Sequence, residues 1–89
     1  TEVERVLRTH PDVSAVAVIG VPDPEWGETV VAAVIPVPGS APDPSVLIAL
    51  ARDHLAPYKC PRVVRLVDAF PRNAMGKVQK ARLRAGWES

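Results

Sequence analysis

The 89-residue chain carries eleven Lys or Arg against ten Asp or Glu, a formal net charge of +1, with 47% apolar residues and one cysteine, Cys60. That length holds one domain with one modest core; the charge and apolar content exclude intrinsic disorder, and a lone cysteine excludes a disulfide scaffold. The longest near-continuous apolar run, Val30 to Val37, is too short for a membrane span, and no basic start followed by an apolar stretch marks a secretory signal, so the expected setting is cytoplasmic.

In chain order, Val3, Val6, Leu7 and His10 fall at helical spacing among Glu2, Glu4, Arg5 and Arg8. This predicts an amphipathic helix, capped by Thr1 and ended by Pro11-Asp12. A chain opening at the edge of such a helix reads as a piece of a larger protein. Val13 to Val21 (VSAVAVIGV) is apolar and β-branched between prolines, which predicts a strand buried on both faces. Pro22 to Gly27 (PDPEWG) is a loop. Glu28 to Val37 is a second strand, with Pro36 at its end because proline donates no ladder hydrogen bond. After the turn Pro38 to Pro42, Asp43 and Pro44 suit the N-cap and first position of a helix, whose inner stripe is Val46, Leu47, Leu50, Ala51 and Leu55.

Ala56 to Arg62 (APYKCPR) is a proline-framed loop, Val63 to Val67 a short third strand, Phe70 to Lys77 a loop, and Val78 to Trp87 a basic helix with Leu83 and Trp87 four apart. The order αββαβα predicts an α+β domain: a small two-layer one with a three-stranded sheet, open to extra short strands, packed by about three helices.

The near-neutral charge hides an asymmetry. Residues 1–58 hold three Arg against eight acids, whereas residues 59–89 hold eight Lys or Arg against Asp68 and Glu88. A basic third of this kind suits an anionic partner or serves as a solvated surface.

No complete set of nucleophile, base and orienter can be assembled. His10 and His54 are isolated, and no Cys/His cluster has metal-ligand spacing, so no metal site is expected. Cys60, beside Lys59 and Arg62, reads as a small packed cysteine before it reads as a nucleophile. Nucleic acid is not expected as a partner, because the basic stretch holds aromatics only at Phe70 and Trp87 and no binding pattern. The segment Pro71-Arg-Asn-Ala-Met-Gly-Lys77 is not a phosphate-binding P-loop, which needs a glycine where Pro71 stands and Ser or Thr where Val78 stands. A free-turning Gly76 and a stiff Pro71 could still present Lys77 at a loop tip as a point charge; a Gly-Lys pair in an ordinary surface turn is the plainer alternative.

At this loop the sequence resembles a known family. Phe70-Pro-Arg-Asn-Ala-Met-Gly-Lys-Val-Gln-Lys80 is similar to the C-terminal signature of the adenylate-forming enzymes, which include acyl-CoA synthetases, peptide-synthetase adenylation domains and firefly-type luciferases. Thr1 to Leu7 resembles the helix just after the hinge, Val13 to Pro36 the two strands around the PDPEWGE loop, and Leu55 to Pro61 the Leu…Tyr-Lys-x-Pro segment. The resemblance covers almost the whole chain.

It implies that residues 1–89 are the small C-terminal lid of an acyl-CoA synthetase-like enzyme, starting just past the hinge and inactive alone. The N-terminal adenylation domain, as partner, would carry the ATP and acyl sites, with Mg2+ expected there. In the implied reaction a carboxylate attacks the α-phosphate of ATP to give acyl-AMP; the lid then rotates and coenzyme A displaces AMP. Lys77 takes the position of the adenylation lysine. Trp26, Gly27, Tyr58, Lys59 and Arg62 match positions around the coenzyme A nucleotide, although Cys60 stands where some relatives have a basic residue. Two alternatives stay open. One is a peptide-synthetase lid, against which Gln79 and Tyr58-Lys59 argue. The other is an isolated module whose Lys77 is the substrate of a lysine acetyltransferase.

Overall fold

Valine and alanine dominate the strands because both faces of the sheet are covered. The computed structural model describes residues 1–25 and 27–87. It contains α1 (Glu2–Leu7), β1 (Val13–Asp23), β2 (Gly27–Pro36), α2 (Pro44–His54), a single 3-10 turn at Pro57–Lys59, β3 (Val63–Leu66) and α3 (Lys80–Ala85). The sheet order is β1-β2-β3. β2 is central, antiparallel to β1 through a tight turn and parallel to β3 after the α2 crossover, the connection a parallel pair requires. The α+β class, the three-stranded sheet and the αββαβα order are those expected.

Alternation along β2 sorts the core into two sides. Ala32 and Val34 face α1 and α2, packing with Val3, Leu7, Leu47, Ala51, Cys60 and Val64. Ala33 faces the other way, with Ala17, beneath Phe70, and Ile35, Val78, Leu83 and Trp87 pack around them. Helices therefore lie on both faces, α1 and α2 on one and α3 on the other, so the expected two layers gain a third, short cover. Leu7 and Leu47 are fully buried, each contributing roughly 1.5–3 kcal/mol.

Local chemistry sets the element ends. Thr1 Oγ1 accepts the Glu4 N–H in a capping box, and Asp43 accepts from the Ser45 N–H and hydroxyl at the start of α2, with Pro44 in its first turn. Four details depart from the sequence pattern. Val46, placed on the inner stripe of α2, is 50% exposed. The β1–β2 hairpin is tighter than expected, because Asp23 accepts from the Glu25 N–H and the Thr29 hydroxyl and both strands run on into the anticipated loop. Val78 does not start a helix; it bridges to Arg72 across the loop. Trp87 lies beyond the end of α3, and the Arg65 guanidinium stacks 4.3 Å from its ring centroid.

The free edge of β1 is occupied by side chains from two helices. Glu4 Oε2 accepts the Val18 N–H at 2.8 Å and the Lys80 ammonium at 2.9 Å, and Arg84 Nε donates to the Gly20 carbonyl at 2.6 Å. Edge groups satisfied in this way do not template pairing with another chain. Burial pushes the Glu4 carboxyl upward, but the Val18 N–H and the Lys80 ammonium together outweigh it, so its pKa lies below the ordinary 4.5.

Because the folded form holds Glu4 more acidic than the unfolded chain does, its contribution is complete above pH 4.5 and fades as pH falls through the lower folded value. Glu4→Ala is expected to cost about 1–3 kcal/mol at neutral pH. The gap between wild type and variant should narrow on acidification in urea titrations; a gap that stays constant from neutral to acid pH would remove Glu4 from this role.

Candidate functional site

The loop between Phe70 and Val78 is built by backbone hydrogen bonds around one side chain. Asn73 Oδ1 accepts the Met75 N–H at 2.9 Å and the Lys77 N–H at 3.0 Å. The Asn73 N–H donates to the Lys77 carbonyl and the Asn73 carbonyl accepts from Gly76 N–H, both at 3.0 Å. Arg72 Nη1 donates to the Gly76 carbonyl at 2.8 Å, and the Gln79 N–H to the Pro71 carbonyl at 2.8 Å. Gly76 sits at φ +83°, a conformation that costs a residue with a side chain and is free for glycine. The loop is thus a closed, hydrogen-bonded hairpin tip, not a slack surface turn.

Lys77 is exposed on this tip, and Met75 beside it is 92% exposed. The other cations of residues 59–89 are engaged. Lys59 pairs with Glu2 at 3.1 Å and Lys80 with Glu4 at 2.9 Å. Arg72 holds the Gly76 carbonyl, Arg82 Nη1 donates to Gln79 at 3.2 Å, and Arg84 holds the Gly20 carbonyl. Arg65 stacks on Trp87, and Arg62 also has a partner. Among the described residues Lys77 is the cation of this stretch that none of the ion pairs or side-chain hydrogen bonds uses.

Of the expected nucleotide-binding residues, only Tyr58 and Arg62 come together, elsewhere on the domain. An open groove of about 980 Å³ is lined by Glu28, Thr29, Val30, Arg52, Pro57, Tyr58, Cys60, Pro61 and Arg62. Tyr58 is 79% exposed, so its ring does not cover the sheet, and the Lys59 ammonium stands 5.8 Å from the ring centroid. Pro57 begins the 3-10 turn that raises Tyr58, and the Arg62 N–H is pinned to the Val30 carbonyl at 2.9 Å. Lys59 does not line the groove; it turns to Glu2, whose hydrogen bond raises the pKa of its ammonium above the ordinary lysine value. Gly27, at φ +81°, serves the β1–β2 turn next to this rim. Trp26 lies outside the described residues. Cys60 is buried, its Sγ 3.5 Å from the Ala56 carbonyl, which is the packed-cysteine arrangement.

Lys77 does not line the groove either. The structure keeps two places apart: one cation on a braced loop, and one open trough with an aromatic and two arginines. Asn73 was absent from the residues singled out in the sequence. Its signal is an Asn two residues before Met75 and three before Gly76, the spacing of a side chain that caps its own turn. Among the described residues no group of three or more His, Cys, Asp or Glu converges as metal ligands, and no helix is long and apolar enough to cross a membrane.

A family profile described as AMP-binding enzyme C-terminal domain matches residues 2–77. A 3-[(3aS,4S,7aS)-7a-methyl-1,5-dioxo-octahydro-1H-inden-4-yl]propanoyl:CoA ligase from Mycobacterium tuberculosis is 52% identical over 83 residues, 93% of this chain and 16% of that protein. A feruloyl-CoA synthase from an Amycolatopsis species is 47% identical over 83 residues, 93% of this chain and 17% of that protein. Among solved structures, apo MatB from Rhodopseudomonas palustris superposes with a TM-score of 0.91 at 42% identity, covering 94% of this chain and 17% of that one. The amide bond synthetase McbA from Marinactinospora thermotolerans gives 0.90 at 48% identity, covering 98% and 18%. The chain thus spans less than a fifth of the length of each of these relatives.

Gly76→Ala places a side chain in open space but at a positive φ. It is expected to cost about 1–2 kcal/mol through backbone strain, to shift the amide resonances of residues 72–78, and to leave the sheet resonances in place. A variant spectrum indistinguishable from wild type across the loop would show that no left-handed residue is needed there.

Proposed function

This chain belongs to the AMP-binding enzyme C-terminal domain family, and from that premise we propose that it is the lid of an AMP-forming acid–thiol ligase. In this reading the remainder of the enzyme binds ATP, with its Mg2+, and a carboxylic acid. The lid delivers Lys77 to the reacting centre for acyl-AMP formation and later offers its groove to coenzyme A. The observation that carries the reading is Lys77, exposed and without a side-chain partner among the described residues, on a loop braced by backbone and Asn73 hydrogen bonds.

The chemistry needs such a cation. A carboxylate attacking an α-phosphate brings two anions together, and an ammonium between them favours the transition state over the separated reactants. At about 4 Å and an effective dielectric near 20, one such charge pair contributes up to roughly 4 kcal/mol. Among the described residues Lys77 has no ion pair to break before it is delivered. In the second half-reaction Tyr58 offers a face for adenine stacking, typically ~1–3 kcal/mol per base, and Arg52 and Arg62 supply positive charge along the same groove. The exposed Lys77 amine is also open to a lysine acetyltransferase, and acetylation would erase the charge that adenylation uses.

In the full-length enzyme, Lys77→Ala should slow ATP–pyrophosphate exchange by on the order of 10² or more, while thioester formation from supplied acyl-AMP survives. Equal loss in both half-reactions would count against the role. Tyr58→Ala and Arg62→Glu should have the opposite profile, raising KM for coenzyme A roughly tenfold with pyrophosphate exchange unaltered. The McbA likeness favours a specific second outcome. If the supplied acyl-AMP reacts with an amine and not with coenzyme A, the enzyme is an amide synthetase and the groove has another use.

A further inference from the structure

We infer that Asn73 is the positioning residue for Lys77: its side-chain oxygen sets the direction in which the Lys77 ammonium leaves the domain. The inference rests on the reading of Lys77 as the adenylation lysine.

The geometry is specific to this side chain. A single oxygen, Asn73 Oδ1, takes the N–H groups of both Met75 and Lys77, at 2.9 and 3.0 Å. The main chain of the same residue closes the loop twice more, onto Gly76 and Lys77. Removing the oxygen alone frees two amides and leaves the rest of the fold untouched, because the core anchors on either side are apolar: Phe70 before the loop and Val78 after it. Arg72 also braces the tip, but through the Gly76 carbonyl, on the side away from the Lys77 N–H. Lys77 has no side-chain partner among the described residues, so the direction of its Cα–Cβ bond is set by its backbone alone. Whatever orients that backbone sets the point and direction from which the flexible lysine stem starts, and small misplacement of a reacting group is costly, about a hundredfold per ångström.

The alternative role for Asn73 is general loop stability. It differs in its kinetics: a destabilised domain loses both half-reactions, whereas a misdirected Lys77 loses only the first. Hydrogen bonding through an acceptor oxygen also predicts rescue by aspartate, which keeps that oxygen, and none by leucine, which keeps only the shape.

The test is kinetic, in the full-length enzyme. Asn73→Leu is expected to lower kcat for ATP–pyrophosphate exchange about tenfold, with KM for ATP and thioester formation from supplied acyl-AMP little changed. Asn73→Asp should recover most of the loss. Asn73→Leu added to Lys77→Ala should cost nothing further, since two residues acting through one charge are not additive. Hydrogen exchange read by mass spectrometry should quicken in the peptide spanning residues 71–79 and nowhere else. The inference is overturned if Asn73→Leu keeps wild-type exchange kinetics, if it slows both half-reactions equally, if aspartate fails to rescue, or if the double variant is slower than Lys77→Ala. Should Lys77→Ala itself leave adenylation intact, the lid reading fails first and this inference with it, a result that the Asn73 variants alone would not produce.

Discussion

Phe70 seated on Ala17 and Ala33 fixes where the lysine-bearing loop leaves the sheet. The two alanines are almost wholly buried beneath the ring, and only a residue with no more than a methyl group lets an aromatic side chain sit that close to the strands. Val78, packed against the same patch, holds the other end of the loop. Between these apolar anchors seven residues project from the sheet, closed by Asn73 and turned by Gly76. The loop can be rigid in position and exposed in surface because its two tasks fall to different residues. Phe70 and Val78 hold it, and residues 72–77 present it.

The charge asymmetry of the sequence takes on a sharper meaning in this frame. Eight cations in the last third suggested a broad basic surface, yet seven of them are engaged within the domain. Their work is largely structural. Lys80 reaches the partly buried carboxylate of Glu4, 16% exposed, and Arg84 occupies the Gly20 carbonyl, so that α3 is tied to α1 and to the free edge of β1. On the lid reading, what remains for the adenylation step is a single charge, Lys77, and not a patch. This separates a domain that delivers one ammonium from one that holds a polyanion by many loosely equivalent contacts.

Much of the fold was legible in the residues. Proline and aspartate at the helix boundaries, the β-branched runs and the Pro-framed segments place six elements in the right order. What the pattern could not give was side. Val46 sits at helical spacing with Leu47 and Leu50 but falls outside the buried face, because α2 meets α1 and β3 along a narrower stripe than the apolar residues suggest. The basic helix begins later than its apolar Val78 because that residue is held by a bridge to Arg72. For the site, Lys77 and Tyr58 could be singled out by motif and loop context. Lys59 could not be separated from Arg62, since its partner Glu2 stands 57 residues away in sequence. Asn73 was hidden for another reason: its contribution is a hydrogen bond to its own neighbours, and residue type alone does not tell such a turn from solvent exposure.

β2 runs beside both candidate places. Its first residues, Glu28 to Val30, form one wall of the groove, and Ala33, three residues on, is part of the floor under Phe70. Both places therefore border the central strand of the sheet, which runs unbroken between them. If the chain is a lid, turning the domain as a whole would present first the cation and then the trough to one reacting centre. On the lid reading, the stiffness that defines the Lys77 loop is also what converts a rotation of the whole domain into a change of chemistry.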